Sequence, residues 1–77
     1  METNGWVIVV TTPGVEGGLP SREIFNCAIE DQDAAVKATR EFVGAVAGAL
    51  VEAKARLSEA AIRALVLSPG EVERAYR

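Results

Sequence analysis

The chain has 77 residues, a formal net charge of −3 and a hydrophobic fraction of 49%. These values predict one globular domain over residues 1–77 rather than a disordered segment. The sequence contains no histidine and a single cysteine. These counts exclude imidazole general bases, Ser–His and Cys–His nucleophile pairs, histidine metal ligands, intramolecular disulfides and zinc fingers.

Charge and hydropathy restrict the partners and the location of the protein. Basic side chains in the second half are interleaved with acidic ones, which disfavours nucleic acid as a partner. The longest apolar run, residues 42–51, is shorter than the roughly 20 residues that span a bilayer, and residues 1–4 lack the basic start of a secretory signal. We therefore expect a cytoplasmic protein that has no membrane partner and keeps Cys27 reduced.

The first predicted strand covers residues 5–12, where β-branched side chains cluster before Pro13 and Gly14. Both of its faces are apolar. One face carries Trp6, Ile8 and Val10, and the other carries Val7 and Val9. Strands of this kind are usually covered on both sides, and a chain of this length has difficulty supplying two covering layers.

A loop and a second strand follow. Residues 13–21 are rich in glycine and proline and predict a loop. Residues 22–30 alternate, with Phe25, Cys27 and Ile29 on the face expected to point to the core. The two strands are expected to pair antiparallel across this long connection.

The next segment predicts a helix near residues 32–43. Asp31 is a suitable N-cap, Asp33 lies in the first turn, where the helix dipole favours negative charge, and Gly44 is a natural stop. The apolar stripe at helical spacing consists of Ala35, Val36, Thr39, Phe42 and Val43.

Residues 50–57 are compatible with two structures. Apolar and charged residues alternate strictly from Val51 to Leu57, which indicates a strand with one wet face. The composition, rich in Ala, Glu, Lys, Arg and Leu, favours a helix instead. We favour the strand, because Gly44 and Gly48 interrupt the preceding helix; the alternative is a β-hairpin followed by a mainly helical segment over residues 32–67.

Two further helices are expected at the C-terminal end. Ser58 precedes a helix near residues 59–67 as its N-cap. Ser68 and Glu71 have capping-box spacing around Pro69, which predicts a short helix over residues 69–76. The expected fold is a two-layer α+β domain, in which helices pack on one face of a small sheet with strands near 5–12, 22–30 and 50–57.

Two stretches of the sequence carry a resemblance to known proteins. One is residues 25–31 followed by residues 33–40, and the other is residues 57–62 continuing to residues 67–72. Together they resemble small uncharacterised bacterial α+β proteins of unassigned function. The shared features are helix caps and apolar stripes, so the resemblance implies no activity.

Residues that could carry chemistry have simpler structural interpretations. Cys27 lies mid-strand among apolar residues, where a free cysteine behaves as a small hydrophobe. The carboxylates of Glu30, Asp31 and Asp33 lack the spacing of a calcium loop, and helix capping accounts for the two aspartates. We therefore predict no catalytic residue, no metal site and no cofactor.

The expected function is that of a non-catalytic homo-oligomeric interaction module, most simply a homodimer, because the predicted sheet has more apolar surface than one helical layer can cover. Two alternatives remain open: a small-ligand-binding regulatory domain and a minimal enzyme that uses Cys27 or the neighbouring carboxylates. The candidate ligand loop contains Thr11, Thr12, Gly14, Gly17, Gly18 and Arg22. The candidate interface contains Trp6, Ile8, Val10, Ile24 and Ala28.

Overall fold

A computed structural model describes residues 4–45 and 48–75 and contains a four-stranded sheet of order β3-β1-β2-β4. This architecture confirms the predicted small α+β fold. All of the pairs in the sheet are antiparallel. The elements are β1 Gly5–Thr12, β2 Ser21–Cys27, α1 Gln32–Val43, β3 Leu50–Leu57, α2 Glu59–Ala64 and β4 Val72–Arg74.

Strand β1 is a central strand, because it pairs with β2 on one side and with β3 on the other. Since both neighbours are antiparallel to β1, they run parallel to each other. The chain between them, which includes α1, is therefore a crossover connection that passes over β1. The prediction of a strand rather than a helix over residues 50–57 is confirmed.

The core lies between α1 and the sheet face that carries the even-numbered residues of β1. Ile8, Phe25 and Cys27 are fully buried in it, and Ile8 pairs directly with Phe25. Helix α1 contributes Ala35 and Thr39, which are also fully buried. The Thr39 hydroxyl donates a hydrogen bond of 2.9 Å to the Ala35 carbonyl, so this buried polar group is satisfied.

Both ends of α1 form as the sequence predicts. The Asp31 carboxylate accepts a hydrogen bond of 2.9 Å from the backbone N–H of Ala34 and caps the helix. Gly44 ends the helix with a left-handed φ of 62°. The N–H groups of Gly44 and Ala45 donate back to carbonyls of the last turn, which is the Schellman pattern.

Strand β3 contains a bulge that the alternating sequence did not indicate. Val7 pairs with Ala55 and Ile8 pairs with Ala53, so Lys54 is an extra residue opposite β1. The bulge moves the apolar row from one face of the sheet to the other. Ala53 packs against the core, whereas Ala55 shares the opposite face with Val7.

The prediction of a short helix over residues 69–76 is wrong, because Val72–Arg74 form strand β4 and pair with β2. Tyr76, which the prediction included, lies outside the described residues. Pairing with β2 explains the difference: the N–H of Ala75 donates to the carbonyl of Ile24, and β4 thereby satisfies backbone groups along the outer side of β2.

The sequence from Ser68 to Glu71 forms a turn in place of a helix start. The N–H of Glu71 donates to the Ser68 carbonyl, and Gly70 has a φ of 84°. Proline at the second position and glycine with positive φ at the third are typical of a type II turn. The Glu71 carboxylate accepts a bond of 2.8 Å from the Ser68 N–H, so one capping-box contact forms without a helix.

Helix α2 begins as predicted but ends earlier, at Ala64 rather than at residue 67. The Ser58 hydroxyl oxygen accepts a hydrogen bond of 3.2 Å from the N–H of Ala61, which confirms the predicted N-cap. No helix among the described residues is long and apolar enough to cross a membrane.

Val66 ends α2 in a conformation that glycine usually adopts. The N–H groups of Val66 and Leu67 donate to the carbonyls of Arg63 and Ile62, and Val66 has a φ of 56°. These bonds reproduce the Schellman pattern found at Gly44. A β-branched residue is strained at positive φ, and Val66 is also 85% exposed.

We predict that V66G stabilises the isolated chain. Left-handed φ costs an L-residue about 1–2 kcal/mol, and the greater freedom of glycine in the unfolded state offsets about half of that. The expected gain of about 0.5–1 kcal/mol is measured by urea unfolding at low protein concentration, followed by Trp6 fluorescence. The reciprocal variant G44A should lose about 1 kcal/mol at the equivalent position. A V66G chain that unfolds at lower urea than the parent would contradict the strain argument.

Candidate interaction surface

The sheet face opposite α1 carries apolar side chains that the fold leaves in contact with water. We call it the open face. Ile24 is 41% exposed and Leu50 is 53% exposed, and both residues belong to it, because Ile24 pairs with Val9 and Leu50 pairs with Thr11. The open face consists of Val7, Val9, Thr11, Arg22, Ile24, Asn26, Leu50, Glu52, Ala55 and Glu73. Val9 and Asn26 are its least exposed residues, at 7% and 8%.

Helix α2 closes one end of the open face. Gly5 shares the side of Val7 and pairs with Leu57, and a Cβ placed on Gly5 would lie 3.1 Å from Cδ1 of Ile62. The same Cβ would collide with the Cys27 carbonyl, which explains why glycine occupies this position. The uncovered part of the face therefore extends from Val7 towards the β1–β2 loop.

The outer edge of β3 is poorly suited to pairing with another strand. It carries the Lys54 bulge, and Lys54 forms an ion pair of 3.2 Å with Glu52. Arg56 extends over the Trp6 ring, 6.0 Å from its centroid. Charged side chains and bulges are the features by which natural edge strands avoid edge-to-edge association.

The opposite edge of the sheet, β4, has only three residues. Two of them are Glu73 and Arg74, and Arg74 forms an ion pair with Glu23 of β2. Because both edges are short or charged, the open face is better suited than either edge to association with another surface.

The candidate interface residues divide between the two sides of the sheet. Ile8 and Val10 are 0% and 3% exposed, and together with Trp6 they pack on the α1 side. Ile8 and Val10 are therefore core residues, and Trp6 is partly buried against that core. Ile24 lies on the open face, and Ala28 is 8% exposed beyond the end of β2.

The candidate ligand loop forms a compact turn at the end of the sheet farthest from α2. The N–H of Gly18 donates to the Val15 carbonyl at 2.9 Å, and Glu16 and Gly17 both have positive φ. The close approach of Gly14 to the Gly18 carbonyl leaves no room for a Cβ.

The loop exposes apolar side chains rather than collecting polar ones. Val15 is 81% exposed and Leu19 is 91% exposed. Thr11 and Arg22 pair directly across β1 and β2, and Thr12 follows at the end of β1.

A cavity of about 420 Å³ lies at the other end of the sheet, lined by Asn4, Ala28, Glu30, Glu59, Ile62, Arg63 and Pro69. Arg63 and Glu59 form an ion pair of 2.7 Å within it, so these two charges satisfy each other. None of the candidate ligand-loop residues lines this cavity.

Cys27 is a free cysteine that is buried among apolar side chains of the core. Its thiol lies 3.8 Å from the Ala35 carbonyl, to which it donates. Burial raises the pKa of the Cys27 thiol, and a hydrogen bond with Thr39 lowers it by less. The neutral thiol is therefore the favoured form, which is the opposite of what a nucleophilic cysteine requires.

The three acidic residues near the start of α1 do not converge. Asp31 caps the helix, and the backbone carbonyl of Glu30 accepts a 2.9 Å hydrogen bond from the Trp6 indole. Within residues 4–45 and 48–75, no group of three or more Cys, Asp or Glu side chains is placed to hold a metal ion.

Comparison with known proteins assigns no relative. No family model matches the chain, and neither a curated protein nor a solved structure matches it significantly. The resemblance to small bacterial α+β proteins therefore stays a prediction.

Sequence reasoning missed Leu50 and the exposed loop residues Val15 and Leu19 as surface candidates. Leu50 lies outside the alternating apolar row that begins at Val51, and this offset indicates that its side chain points to the other face of the sheet. Val66 could not have been found, because only the backbone shows that a valine occupies the left-handed position.

We predict that native Cys27 reacts with iodoacetamide only through opening of the structure. For a domain of this length, a stability of about 4 kcal/mol or more slows the reaction by about a thousandfold or more relative to the unfolded chain. Mass spectrometry with and without urea measures the rates of alkylation. Equal rates would show that Cys27 is accessible in the folded chain.

The same burial predicts a dependence of stability on pH. Because the raised thiol pKa favours the neutral folded form, the free energy of unfolding should fall as the pH rises through and above the ordinary thiol value of 9.0.

Proposed function

We propose that the chain is a non-catalytic interaction module that associates with a second copy of itself through the open face. The observation that carries the proposal is the exposure of Ile24 and Leu50 on a sheet face opposite the core. Contiguous exposed apolar patches of more than a few hundred Å² commonly mark a surface that binds another protein. A second copy presents the same surface, so two-fold symmetry is the simplest arrangement.

The character of the sheet edges supports face-to-face association over strand addition. The bulge at Lys54 and its ion pair with Glu52 interrupt the outer edge of β3, and β4 has three residues only. A dimer formed by extending the sheet would have to pair one of these edges. Stacking of the open faces leaves both edges in water.

The chemistry of the open face is compatible with a water-soluble chain that also associates. Ile24 at its centre is exposed and pairs with Val9, which is 7% exposed. Glu52 lies beside Val9 on β3, and Arg22 lies two residues from Ile24 along β2. An apolar centre with a charged rim is the common composition of protein interfaces. Burying apolar area stabilises association by about 25 cal/mol per Å² before the cost of ordering is subtracted.

The alternative functions have weaker support. The cavity beside α2 has a volume in the range of small-ligand sites, but its Arg63 is already paired with Glu59. An enzyme that uses Cys27 would need a stabilised thiolate, whereas burial raises the pKa of this thiol.

We predict that the chain elutes at twice its monomer mass in size-exclusion chromatography with light scattering at micromolar concentration. I24K should shift the population to monomer, because a lysine at the centre of the stacked faces would bury a charge. The matched control E41Q changes the net charge by the same amount on the exposed surface of α1 and should remain dimeric.

Three results bear on this proposal. A monomeric parent chain would contradict it directly. Equal dimerisation of I24K and the parent chain would contradict the open face as the contact. Circular dichroism of I24K checks that the fold is retained, which we expect because Ile24 is 41% exposed and lies outside the core cluster.

A further inference from the structure

We infer that the proposed dimer is antiparallel, with the β1–β2 loop of each copy, residues 13–20, packed against α2 of the other. This inference rests on the proposed function and specifies which segments meet. It follows from the position of α2, from the size of the open face and from the side chains that the two segments expose.

The position of α2 selects one of two symmetric arrangements. Helix α2 stands at the Gly5 end of the open face, because Ile62 lies over the site of a Gly5 Cβ. If the two-fold axis ran along the strands, both copies of α2 would meet at the same end and hold the sheets apart. If the axis crosses the strands, each α2 faces the Thr12 end of the other copy, where the loop begins.

The open face alone is too small for a stable dimer. With strands about 4.8 Å apart and about 3.3 Å per residue, the rows from Val7 to Thr11 span on the order of 300 Å². Within these rows Val9 and Asn26 are only 7% and 8% exposed. A standard interface buries about 800 Å² per partner. The segments at the two ends of the face must therefore contribute, and in the antiparallel arrangement these are the loop and α2.

The loop has the properties of a preformed contact segment. Its tip exposes Val15 and Leu19 almost fully, and the close packing of Gly14 on the Gly18 carbonyl fixes the turn between them. Apolar side chains held by a fixed backbone lose little entropy when they are buried against a partner.

Helix α2 presents a matching surface. Ala60 and Ala64 are exposed one helical turn apart, and small side chains let a loop approach the helix closely. Val66 follows them and is 85% exposed. These three residues provide apolar contact for Val15 and Leu19 of the other copy.

The strain at Val66 is independent support for a role of its side chain. The same Schellman geometry ends α1 with Gly44 and α2 with Val66, so glycine would satisfy the backbone at both places. A strained residue at an exposed position points to a use of its side chain outside the folded chain itself.

Crosslinking between two different variants tests the arrangement. L19C and A60C are purified separately, mixed to allow exchange of subunits, and treated with a short bis-maleimide. The antiparallel dimer predicts a crosslinked product that contains one chain of each variant. L19C alone and A60C alone should give little product, because in this dimer the two copies of each site lie at opposite ends. The parent chain is the control for Cys27, which is buried.

The possible results separate this inference from the proposed dimer. Dominant crosslinking of L19C to itself indicates a parallel arrangement and overturns the inference, while the dimer stands. A dimer by light scattering with no crosslinked product from the mixture overturns it as well. A monomeric parent chain overturns both.

The variant V66G gives a second test, in which a weaker dimer cannot be explained by a loss of folding stability. It should weaken dimerisation by roughly three- to tenfold, because it removes a contact side chain, although the same change stabilises the isolated chain. Sedimentation equilibrium measures the dissociation constant. An unchanged dissociation constant would show that Val66 makes no contact in the dimer and would remove α2 from the interface.

Discussion

The packing of α1 against one face of β1 determines what the rest of the molecule exposes. Ile8 and Phe25 meet Ala35 and Thr39 in a fully buried layer, and this layer uses only the even-numbered side chains of the central strand. On the odd-numbered side Val9 is 7% exposed and Val7 is partly buried, but no second helix of comparable length is present among the described residues, and Ile24 and Leu50 beside them stay exposed. The open face follows from this one-sided packing.

The remaining elements shape that face rather than cover it. The Lys54 bulge brings Ala55 to the side of Val7 and interrupts the edge of β3. Helix α2, only six residues long, covers the end near Gly5. The β1–β2 loop extends the opposite end with exposed Val15 and Leu19. Exposed apolar side chains and a steric block thus lie at opposite ends of one surface, which is the basis of the proposed antiparallel arrangement.

The sequence predicted the elements whose signals are local. Asp31, Gly44 and Ser58 each form the cap that their residue type favours. The helix predicted near residues 69–76 failed, because Ser-Pro-Gly-Glu fits both a capping box and a type II turn. Pairing with β2 decided between them, and a single sequence does not display that contact.

The candidate surface was only partly predictable for the same reason. The sequence shows that β1 is apolar on both faces, but it does not show which face α1 selects. The predicted interface therefore combined Ile24, which lies on the open face, with Ile8 and Val10, which α1 buries. The strain at Val66 depends on its φ of 56°, a property of the folded backbone that residue type alone does not reveal.

The central claim is that a second chain covers the open face, and methyl NMR with a soluble paramagnetic agent tests it most directly. In the isolated chain Ile24 and Leu50 are 41% and 53% exposed. At high protein concentration the account predicts weak relaxation of both methyl sets, with strong relaxation returning on dilution, while the exposed methyl of Ala34 on α1 relaxes strongly throughout. Strong relaxation of Ile24 and Leu50 at every concentration would contradict the account.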